Sequence, residues 1–518
     1  MKRTYSYQAG NKTIKREITY IPIRYIFAAL FSLLETLAII GIVFALSYYV
    51  KYFYIAALLT SVGCILSIVA SDDNPEYKIP WLLVVLLLPI VGFMLYFLFY
   101  SRKLKKKYIR RLEEMQRVTY EAPTKTTFDR LKNETPVAHN QARLLCRLAD
   151  TNLFDTTQTT YYPTGADMHA AILEDLKRAT SFIYLEFFIV EEGVFWDSIL
   201  AILKEKAKAG VDVRVLYDDI GCMATLPGNY AKRLAKDGIH ATPYSRLKGH
   251  ADSEFNNRNH RKILVIDGTI GYTGGVNIAD EYIGVVEKYG HWKDVGLRLE
   301  GEAVWELTQL FLVDWGMNRK KAEIPTYPCF PKQEGHQNGY VIPFGDGPKP
   351  LYDRNVGKTV IQELISCATR YVYITTPYLI IDNDLCTTLE NAALRGVDVK
   401  LVVPHIPDKK LVFAMTRSFY PRLMKAGVNI YEYTPGFIHA KCYLVDDLYA
   451  MVGTINLDYR SLVHHFENGV WMYATSCIPQ IKADIEETLA LSTQIPYKAP
   501  SPFLRFFRSI GRFFAPLL

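Results

Sequence analysis

The chain has 518 residues, of which 50% are hydrophobic and 22% are charged, and its formal net charge is +7. This length allows two or three domains with ample core, and the composition excludes a disulfide-stabilised miniprotein and a disordered chain. The first 111 residues carry a net charge of +10, so the other 407 residues sum to −3. Nucleic-acid enzymes concentrate basic residues on the catalytic body, whereas here they flank apolar segments, which indicates a membrane and no nucleic-acid partner.

Three apolar stretches predict transmembrane helices at about 25–50, 53–70 and 81–100, within an N-terminal membrane region that covers residues 1–111. A spanning helix needs about 20 apolar residues. The third stretch meets this length without a charge, and the second is slightly short. The first contains Glu35, which a spanning helix must bury or pair. None of them has the pattern of a cleaved signal peptide.

Basic residues beside the apolar stretches predict the orientation in the membrane. The run SRKLKKKYIRR after Tyr100 has seven Lys and Arg, so the rest of the chain is expected in the cytoplasm. The loop Ser71–Pro80 has three acidic residues and one Lys, which is typical of the outer side. Six basic residues before Tyr25 also favour the inside, which requires two spans rather than three. The number of spans and the side of the N-terminus therefore stay open.

Residues 112–142 are rich in Pro, Thr and charge and predict a linker. Beyond this linker the chain resembles itself. The matching segments are 171–188 with 360–378, 209–219 with 395–405, and 259–278 with 438–457. Strands that alternate with helices predict a parallel or mixed sheet in each copy. The repeat therefore predicts two duplicated α/β domains, at 143–325 and 340–495.

Each copy carries the motif HxKxxxxD, followed by GxxN or GGxN. The motif residues are His260, Lys262, Asp267 and Asn277 in the first copy and His439, Lys441, Asp446 and Asn456 in the second. A single histidine of this kind is normally a hydrogen-bonded core residue. Two motifs at equivalent positions of a repeat favour a shared chemical role instead.

The spacing within the motif predicts which side chains lie together. Side chains alternate along a strand, so the histidine and the lysine of each motif share one face. Asp267 and Asp446 have an odd offset from that face and precede turns, which favours a structural or orienting role over direct contact. The glycines before Asn277 and Asn456 allow a close backbone approach that brings each amide to the same place.

An imidazole, an ammonium and an amide from each copy suit phosphoryl transfer. One histidine can attack phosphorus, Lys and Asn can stabilise the oxygens as charge builds, and the second histidine can protonate the departing alkoxide. With two Lys and two Asn around one phosphate, neither a metal nor another cofactor is expected. The eight scattered cysteines have no metal-ligand spacing and fit a reducing compartment.

The end of the chain, residues 500–518, predicts an amphipathic helix. Its aromatic and aliphatic residues recur with helical spacing, and its three arginines share the opposite face. This pattern is typical of a helix that lies in an anionic membrane interface. A helix docked on the core of the protein itself is the alternative.

These motifs resemble those of the phospholipase D superfamily. The apolar block NPEYKIPWLLVVLLLPIVGFMLYFLF and the segments HAKCYLVDD and GTINLDYRS are similar to bacterial cardiolipin synthases, and the resemblance covers nearly the whole chain. It implies an α/β fold in which N-terminal transmembrane helices precede two duplicated phospholipase D-like domains, with the active site at their interface. It also implies a multi-pass protein of the bacterial cell membrane, with its catalytic domains on the cytoplasmic side.

The resemblance implies a role for each motif residue. His260 would be the nucleophile, and His439 the general acid and then the base. Lys262, Lys441, Asn277 and Asn456 would hold the phosphate, and Asp267 and Asp446 complete the catalytic motifs.

Family members also use a carboxylate downstream of each histidine to orient it, and Asp294 and Glu467 occupy these places. A hydrogen bond to Nδ1 would leave Nε2 free to attack. Many superfamily members have NxE where this chain has His465-Phe466-Glu467, so the role of His465 stays open.

The function that the resemblance implies is cardiolipin synthesis, in which a phosphatidyl group passes from one phosphatidylglycerol to another and glycerol is released. The expected partners are phosphatidylglycerol and anionic membrane lipid, and a homo-oligomer stays open. A hydrolytic phospholipase D and a phosphatidylserine synthase of the same superfamily are the alternatives. The negative charge of the body disfavours a membrane-tethered nuclease, and two intact motifs disfavour a non-catalytic scaffold.

Overall fold

The computed structural model describes most of the chain. The described residues are 2–9, 12–19, 23–49, 51–97, 110, 124–246, 257–317, 339–349, 351–352, 354–499, 501–503, 506 and 511–513. The basic run after Tyr100 lies outside them except for Arg110. Most of the predicted C-terminal helix, 500–518, also lies outside them.

The N-terminal region consists of a two-stranded sheet followed by helices. Its elements are β1 (Lys2–Ala9), β2 (Lys12–Thr19), α1 (Ile23–Tyr49), α2 (Lys51–Ala70), α3 (Pro75–Leu87) and α4 (Pro89–Leu95). Within the part of the chain that is described, no helix combines the length and the hydropathy that crossing a membrane requires. Glu35, which was expected to be buried or paired, is exposed on α1.

The third apolar stretch differs from its prediction. It was expected to form one helix over 81–100, but the helix ends at Leu87 and a second one begins at Pro89. Proline has no N–H to donate and restricts the residue before it to extended conformations, so the break falls at Leu88. Leu88 has φ −126° and ψ 69°, which is not helical.

Two helices follow, in the segment that was expected to be a linker. They are α5 (Thr124–Glu134) and α6 (Pro136–Ala149). Ala138, Ala142 and Leu145 of α6 are buried in the core of the second α/β domain. The linker prediction for 112–142 is therefore wrong for its described part, and the apolar spacing i, i+4, i+7 was the signal for a helix.

The first α/β domain, called lobe 1, covers residues 150–317. Its elements are β3 (Gln158–Tyr162), α7 (Gly165–Arg178), β4 (Phe182–Phe187), α8 (Val194–Lys208), β5 (Asp212–Asp218), α9 (Tyr230–Ala235), β6 (His240–Tyr244), β7 (Lys262–Ile266), β8 (Ile270–Gly274), β9 (His291–Lys293), β10 (Gly296–Glu300) and α10 (Val304–Met317).

The second α/β domain, called lobe 2, covers residues 339–499. Its elements are β11 (Tyr340–Asp346), α11 (Val356–Cys367), β12 (Tyr371–Thr375), β13 (Leu379–Ile380), α12 (Asn383–Leu394), β14 (Asp398–Pro404), α13 (Lys410–Lys425), β15 (Asn429–Tyr433), β16 (Gly436–Ile438), β17 (Cys442–Val445), β18 (Tyr449–Gly453), β19 (Leu457–Asp458), a π-helical turn (Arg460–His464), β20 (Glu467–Tyr473), α14 (Ile478–Ala490) and β21 (Ser492–Gln494).

The two main sheets have the same topology, which confirms the predicted duplication. The order is β3-β10-β8-β7-β4-β5-β6 in lobe 1 and β11-β20-β18-β17-β12-β14-β15-β21 in lobe 2. In each sheet three strands are parallel, β4-β5-β6 and β12-β14-β15, and the strands on the other side are antiparallel. Each sheet is therefore mixed, and each HxK motif begins the same central strand, β7 or β17.

The two sheets share a hydrophobic core. Ile263 and Val265 of β7 and Cys442 and Leu444 of β17 belong to one buried cluster that both lobes build. The alternate residues of each strand point the other way, into the separate core of their own lobe. Because β7 and β17 both contribute to the shared core, the chain segments just before them belong to the interface between the lobes.

The described part of the C-terminal segment contacts lobe 2. A Cβ on Gly511 would lie 3.1 Å from Sδ of Met415, and the Arg512 guanidinium lies 5.8 Å from the ring centre of Phe419. Phe503 and Phe506 are exposed.

Candidate active site

His260 is held by residues of the opposite lobe. Its backbone N–H donates to the carbonyl of Phe466 at 2.9 Å. Its Nδ1 lies 3.0 and 2.9 Å from the two carboxylate oxygens of Glu467, the first residue of β20. An ionised carboxylate only accepts, so Nδ1 carries the proton and Nε2 keeps its lone pair.

His439 has a similar arrangement, except that Nζ of Lys441 also lies 2.8 Å from its Nδ1. Its backbone N–H donates to the carbonyl of Lys293 at 2.7 Å, and its Nδ1 lies 2.6 Å from Oδ2 of Asp294 in lobe 1. Strand β16, which leads into His439, pairs in parallel with β9, which leads into Asp294. In the same way, an isolated parallel β-bridge joins Asn259 to Phe466, the residues that precede His260 and Glu467.

Each lobe therefore supplies the carboxylate that contacts the motif histidine of the other lobe, an arrangement called here the exchange of carboxylates. The histidine of lobe 1 is oriented by Glu467 of lobe 2, and the histidine of lobe 2 is oriented by Asp294 of lobe 1. Each histidine and each carboxylate follow directly on a short strand contact between the lobes. Neither lobe alone supplies both a motif histidine and the carboxylate that contacts it.

Further side chains fix the two carboxylates. Glu467 accepts from Oγ of Ser461 at 2.6 Å and from Oγ1 of Thr454. Asp294 accepts from the N–H of Val295 at 2.8 Å. A Cβ on Gly275 would lie 2.0 Å from Oδ1 of Asp294, so only glycine fits at this place in the GGxN motif.

Both motif lysines are buried at the interface. Nζ of Lys262 donates to the carbonyl of His260 at 2.7 Å, and Nζ of Lys441 donates to the carbonyl of His439. Burial lowers the pKa of Lys262 to about 7 and that of Lys441 to about 8, against the opposing pull of Glu467 and Asp294. An anion that enters the site would reverse this effect, because it stabilises the charged ammonium forms.

The histidines are neutral in the empty site. Burial lowers the pKa of His260 to about 3 although Glu467 lies beside it, and burial together with Lys441 lowers the pKa of His439 to about 4. Burial also opposes ionisation of Asp294, but His439 and Lys441 outweigh it and hold the pKa of this carboxyl below its ordinary value. His260 and His465 likewise outweigh burial at Glu467 and lower its pKa.

The two motif asparagines are buried but differ in their hydrogen bonds. Oδ1 of Asn277 accepts from the N–H of Ile189 at 3.1 Å, and its Nδ2 donates to the hydroxyl of Tyr282 at 2.7 Å. The ring of Tyr282 lies edge-on to His439 at 5.5 Å. Oδ1 of Asn456 is buried and has no hydrogen-bond partner among the described residues. Both ends of the Asn277 amide are therefore engaged, whereas the amide oxygen of Asn456 is not.

A protein-family model matches both lobes of the chain. Residues 172–291 and 361–489 match the family model described as "Cardiolipin synthase, PLD-like domain", and these two ranges contain both HxK motifs. Residues 55–99 match a second model, described as "Phospholipase_D-nuclease N-terminal". A cardiolipin synthase of Geobacillus kaustophilus is 36% identical over 88% of this chain and 91% of its own length.

The chain belongs to the cardiolipin synthase family. It is a phosphatidyltransferase of the phospholipase D superfamily. A cardiolipin synthase of Halalkalibacterium halodurans is 35% identical over 86% of this chain and 90% of its own length. An uncharacterised protein of Streptococcus mutans is 42% identical over 84% of this chain and 94% of its own length.

A solved structure shares the fold of this cardiolipin synthase family member. The phosphatidylserine synthase of Haemophilus influenzae superposes with a TM-score of 0.54 and 14% sequence identity, over 73% of this chain and 100% of that one. At this identity the likeness concerns the fold alone.

The motif aspartates bond the loops before the central strands rather than the histidines. Asp267 accepts from the N–H groups of Thr180, Ser181 and Phe182 and from the Thr180 hydroxyl. Asp446 makes the equivalent four bonds to residues 369–371 of lobe 2. Six residues of largely extended chain separate each aspartate from its histidine, a distance of about 20 Å. Both aspartates cap the loop before a central strand.

Replacing Asp267 with Ala is therefore expected to reduce stability rather than chemistry. Three backbone N–H groups lose their acceptor, which should destabilise lobe 1 by about 2 kcal/mol. Thermal unfolding should shift to lower temperature, while kcat per folded molecule stays near that of the wild type. The opposite result, an unchanged unfolding curve with a collapsed kcat, would return Asp267 to the catalytic set.

His465 replaces the asparagine of the superfamily NxE pattern. Its Nδ1 lies 3.7 Å from Oε1 of Glu467, and its ring centre lies 5.6 Å from that of His260. Neither of its ring nitrogens has a hydrogen-bond partner within the described part of the chain. It thus adds a third imidazole to those of His260 and His439, with ring nitrogens available to a bound group.

His260, His465 and Glu467 also form a candidate metal site. Among the residues that the structure describes, only His260, His465 and Glu467 bring three ligand atoms within 4.8 Å of one another. Glu467 already accepts from His260, Ser461 and Thr454. A cation here would have to replace those hydrogen bonds.

Sequence reasoning missed a buried network that positions His260. Nδ2 of Asn259 donates to Glu186 at 2.5 Å and to Asp314 at 3.0 Å, and Arg261 bonds Asp314 at 2.7 Å. Burial and Asp314 raise the pKa of Glu186 well above its ordinary value. The repeat places Thr375 where lobe 1 has Glu186, and this asymmetry was the available signal.

Proposed function

We propose that this chain synthesises cardiolipin, by moving a phosphatidyl group from one phosphatidylglycerol to the hydroxyl of another through a phosphatidyl-histidine at His260. The exchange of carboxylates between the lobes carries this proposal. It provides two imidazoles, each with its Nδ1 beside a carboxylate of the opposite lobe, in a chain of the cardiolipin synthase family. The relatives named cardiolipin synthase support the same substrate class.

In the first half-reaction, Nε2 of His260 attacks phosphorus and the bond from phosphorus to the headgroup glycerol oxygen breaks. His439 gives its Nε2 proton to that oxygen, and glycerol leaves. The phosphodiester charge between Lys262 and Lys441 raises the pKa of His439 and of both lysines, so His439 takes up a proton on Nε2 from solvent when the substrate binds. The lysines and Asn456 stabilise the charge on the phosphorus oxygens.

In the second half-reaction, a hydroxyl of another phosphatidylglycerol gives its proton to Nε2 of His439. Its oxygen attacks phosphorus, and the bond from phosphorus to His260 breaks. Cardiolipin leaves, and both histidines return to their starting state. The bonds broken and formed are of the same kind, so the exchange needs no nucleotide.

We further propose that the protein works at the bacterial cell membrane, with its N-terminal apolar segments in the bilayer and its two lobes on the cytoplasmic side. The net charge of +10 over the first 111 residues and the apolar stretches support this placement. The substrate and the product are both lipids of that membrane.

Product analysis tests this function. The purified full chain is mixed with vesicles that contain phosphatidylglycerol, and the lipids and the released glycerol are measured. Cardiolipin and glycerol should appear in equal amounts. Phosphatidic acid as the main product would show that water resolves the intermediate and would replace the proposal with a hydrolytic phospholipase D.

The buried lysines predict the pH dependence of the reaction. Lys262 and Lys441 are charged below their pKa values, about 7 and about 8, and lose their charge above them. kcat/KM, which reports the free enzyme, should therefore fall more steeply as the pH rises through 7 to 8 than between pH 5 and 7, where only the protonated form of His439 is being lost.

The variant Lys262→Arg shows which of the two lysines causes the fall in kcat/KM. Lys262→Arg keeps a positive charge at all these pH values, because the guanidinium pKa is above about 12. Its steeper fall in kcat/KM should begin only near pH 8, where Lys441 titrates. A wild-type profile without a steeper fall between pH 7 and 8, or one that does not shift in Lys262→Arg, would contradict the role of these lysines.

A further inference from the structure

The apolar segment that follows Ala70 folds back on itself. A Cβ on Gly92 would lie 2.3 Å from the carbonyl oxygen of Val84, and the rings of Trp81 and Tyr96 are 6.1 Å apart. In a continuous helix residues eight positions apart are separated by about 12 Å. Helices α3 and α4 therefore run antiparallel, with Leu88 at the tip.

The tip of this hairpin reaches only part of the way along α2. The Ser61 hydroxyl, in the middle of α2, donates to the carbonyl of Pro89 beside the tip. Helix α3 has 13 residues, which gives a length of about 20 Å, compared with about 30 Å for the hydrocarbon core of a bilayer. The return of α4 brings Tyr96 back to the level of Trp81, near the start of the hairpin.

The start of the hairpin is fixed to lobe 2. The Glu76 carboxylate accepts from the N–H of Asn383 at 3.0 Å and from the hydroxyl of Tyr459 at 2.5 Å. The ring of Tyr77, which is buried, lies 5.5 Å from that of His464.

A third contact strengthens this attachment. Nδ2 of Asn74 donates to Oδ2 of Asp382 at 2.8 Å, and Asp382 also pairs with Lys358. The loop Ser71–Pro80 was expected on the outer side of the membrane, away from the catalytic domains. Its contacts with lobe 2 contradict that expectation.

The surface of the hairpin is apolar, and the sequence that follows it is basic. Its outward side chains include Leu86 at 65%, Leu87 at 68% and Leu88 at 50% exposure. The chain that leaves the hairpin continues directly into the run SRKLKKKYIRR. Leucines at the tip and seven cationic residues after the base match the apolar interior and the anionic surface of one leaflet.

We propose that residues 75–96 form a re-entrant hairpin, which enters the leaflet facing the catalytic lobes and leaves it on the same side. Its partner is a bilayer of anionic phospholipid. The hairpin thereby attaches lobe 2 to the leaflet, close to the π-helical turn that precedes His465 and Glu467.

Cysteine labelling of the full chain in membrane vesicles tests this topology. Asp72→Cys places an exposed thiol in the loop, and Leu394→Cys places one on the surface of lobe 2. A membrane-impermeant maleimide should label both variants in inside-out vesicles and neither in right-side-out vesicles. The unmodified chain gives the background from the native cysteines.

Leu87→Cys and Leu86→Cys test the insertion of the tip. Both thiols should be protected from the aqueous maleimide in vesicles of either orientation and should become reactive when detergent dissolves the bilayer. Labelling of Asp72→Cys from the side opposite to Leu394→Cys overturns the proposal, and so does aqueous labelling of both tip variants in intact vesicles. These readouts do not depend on lipid synthesis, so they stand apart from the proposed function.

Discussion

The variant His260→Ala should form essentially no cardiolipin, with a loss in kcat of about 10⁴-fold or more. The substitution removes the nitrogen that bonds to phosphorus, and the oriented partner His439 has nothing to protonate. The measurement is cardiolipin released from phosphatidylglycerol vesicles by the purified full chain. His405→Ala, which removes a lobe 2 imidazole bonded to Glu432, is the control and should retain activity.

His439→Ala should behave differently, although its loss with phosphatidylglycerol is also large, about 10²- to 10⁴-fold. Its missing function is proton transfer to glycerol. A phosphatidyl ester of p-nitrophenol needs no proton on its leaving group, so this variant should release a burst of p-nitrophenol that His260→Ala does not release. A burst from His260→Ala and none from His439→Ala would exchange the two roles.

The second large effect concerns the carboxylates. Glu467→Gln and Asp294→Asn should each reduce kcat by about 10³- to 10⁴-fold, because an amide can donate to Nδ1 and stabilise the wrong imidazole tautomer. Because each carboxylate orients the histidine of the opposite lobe, the two variants should differ in the p-nitrophenol burst. Glu467→Gln should lose the p-nitrophenol burst, since it disorients His260, and Asp294→Asn should keep the burst, since it disorients His439.

Pairing within each lobe would give the inverse pattern, with the burst lost in Asp294→Asn and kept in Glu467→Gln. Asp175→Asn is the matched control. It removes a buried carboxylate of lobe 1 that bonds Tyr272 and Arg298 but neither catalytic histidine. It should retain both the p-nitrophenol burst and the continued turnover that follows it.

Much of the fold could be predicted from the sequence because the repeat is visible in it. The matched segments around the two HxK motifs correspond to β7-β8 in lobe 1 and β17-β18 in lobe 2, which occupy equivalent places in the two sheets. The alternation of side chains along a strand also separates Asp267 and Asp446 from the histidines. That placement agrees with the caps that these aspartates form.

The exchange of carboxylates could not be predicted in the same way. Asp294 follows the first motif along the chain and Glu467 follows the second, so chain order alone gives no reason for either to cross. The crossing depends on how the two sheets pack and on the short strand contacts at Phe466 and Lys293. Contacts between lobes are set by the shared core rather than by local sequence.

The hairpin shows a different limit of sequence reasoning. Hydropathy averaged over 81–100 cannot distinguish one helix from two short ones, because both consist of the same apolar residues. The local signal was Pro89, together with Gly92, which lacks the Cβ that would collide with Val84. The backbone preferences of Pro89 and Gly92 therefore decide whether this segment forms one helix or two, which its composition does not.

The covalent intermediate tests the central claim most directly. The His439→Ala variant is mixed with the phosphatidyl ester of p-nitrophenol, quenched at alkaline pH and digested, and its peptides are mapped by mass spectrometry. We expect a phosphatidyl adduct on the peptide that contains His260, at up to one adduct per chain. An adduct on any other residue, or steady release of p-nitrophenol without an adduct, would contradict the proposed mechanism.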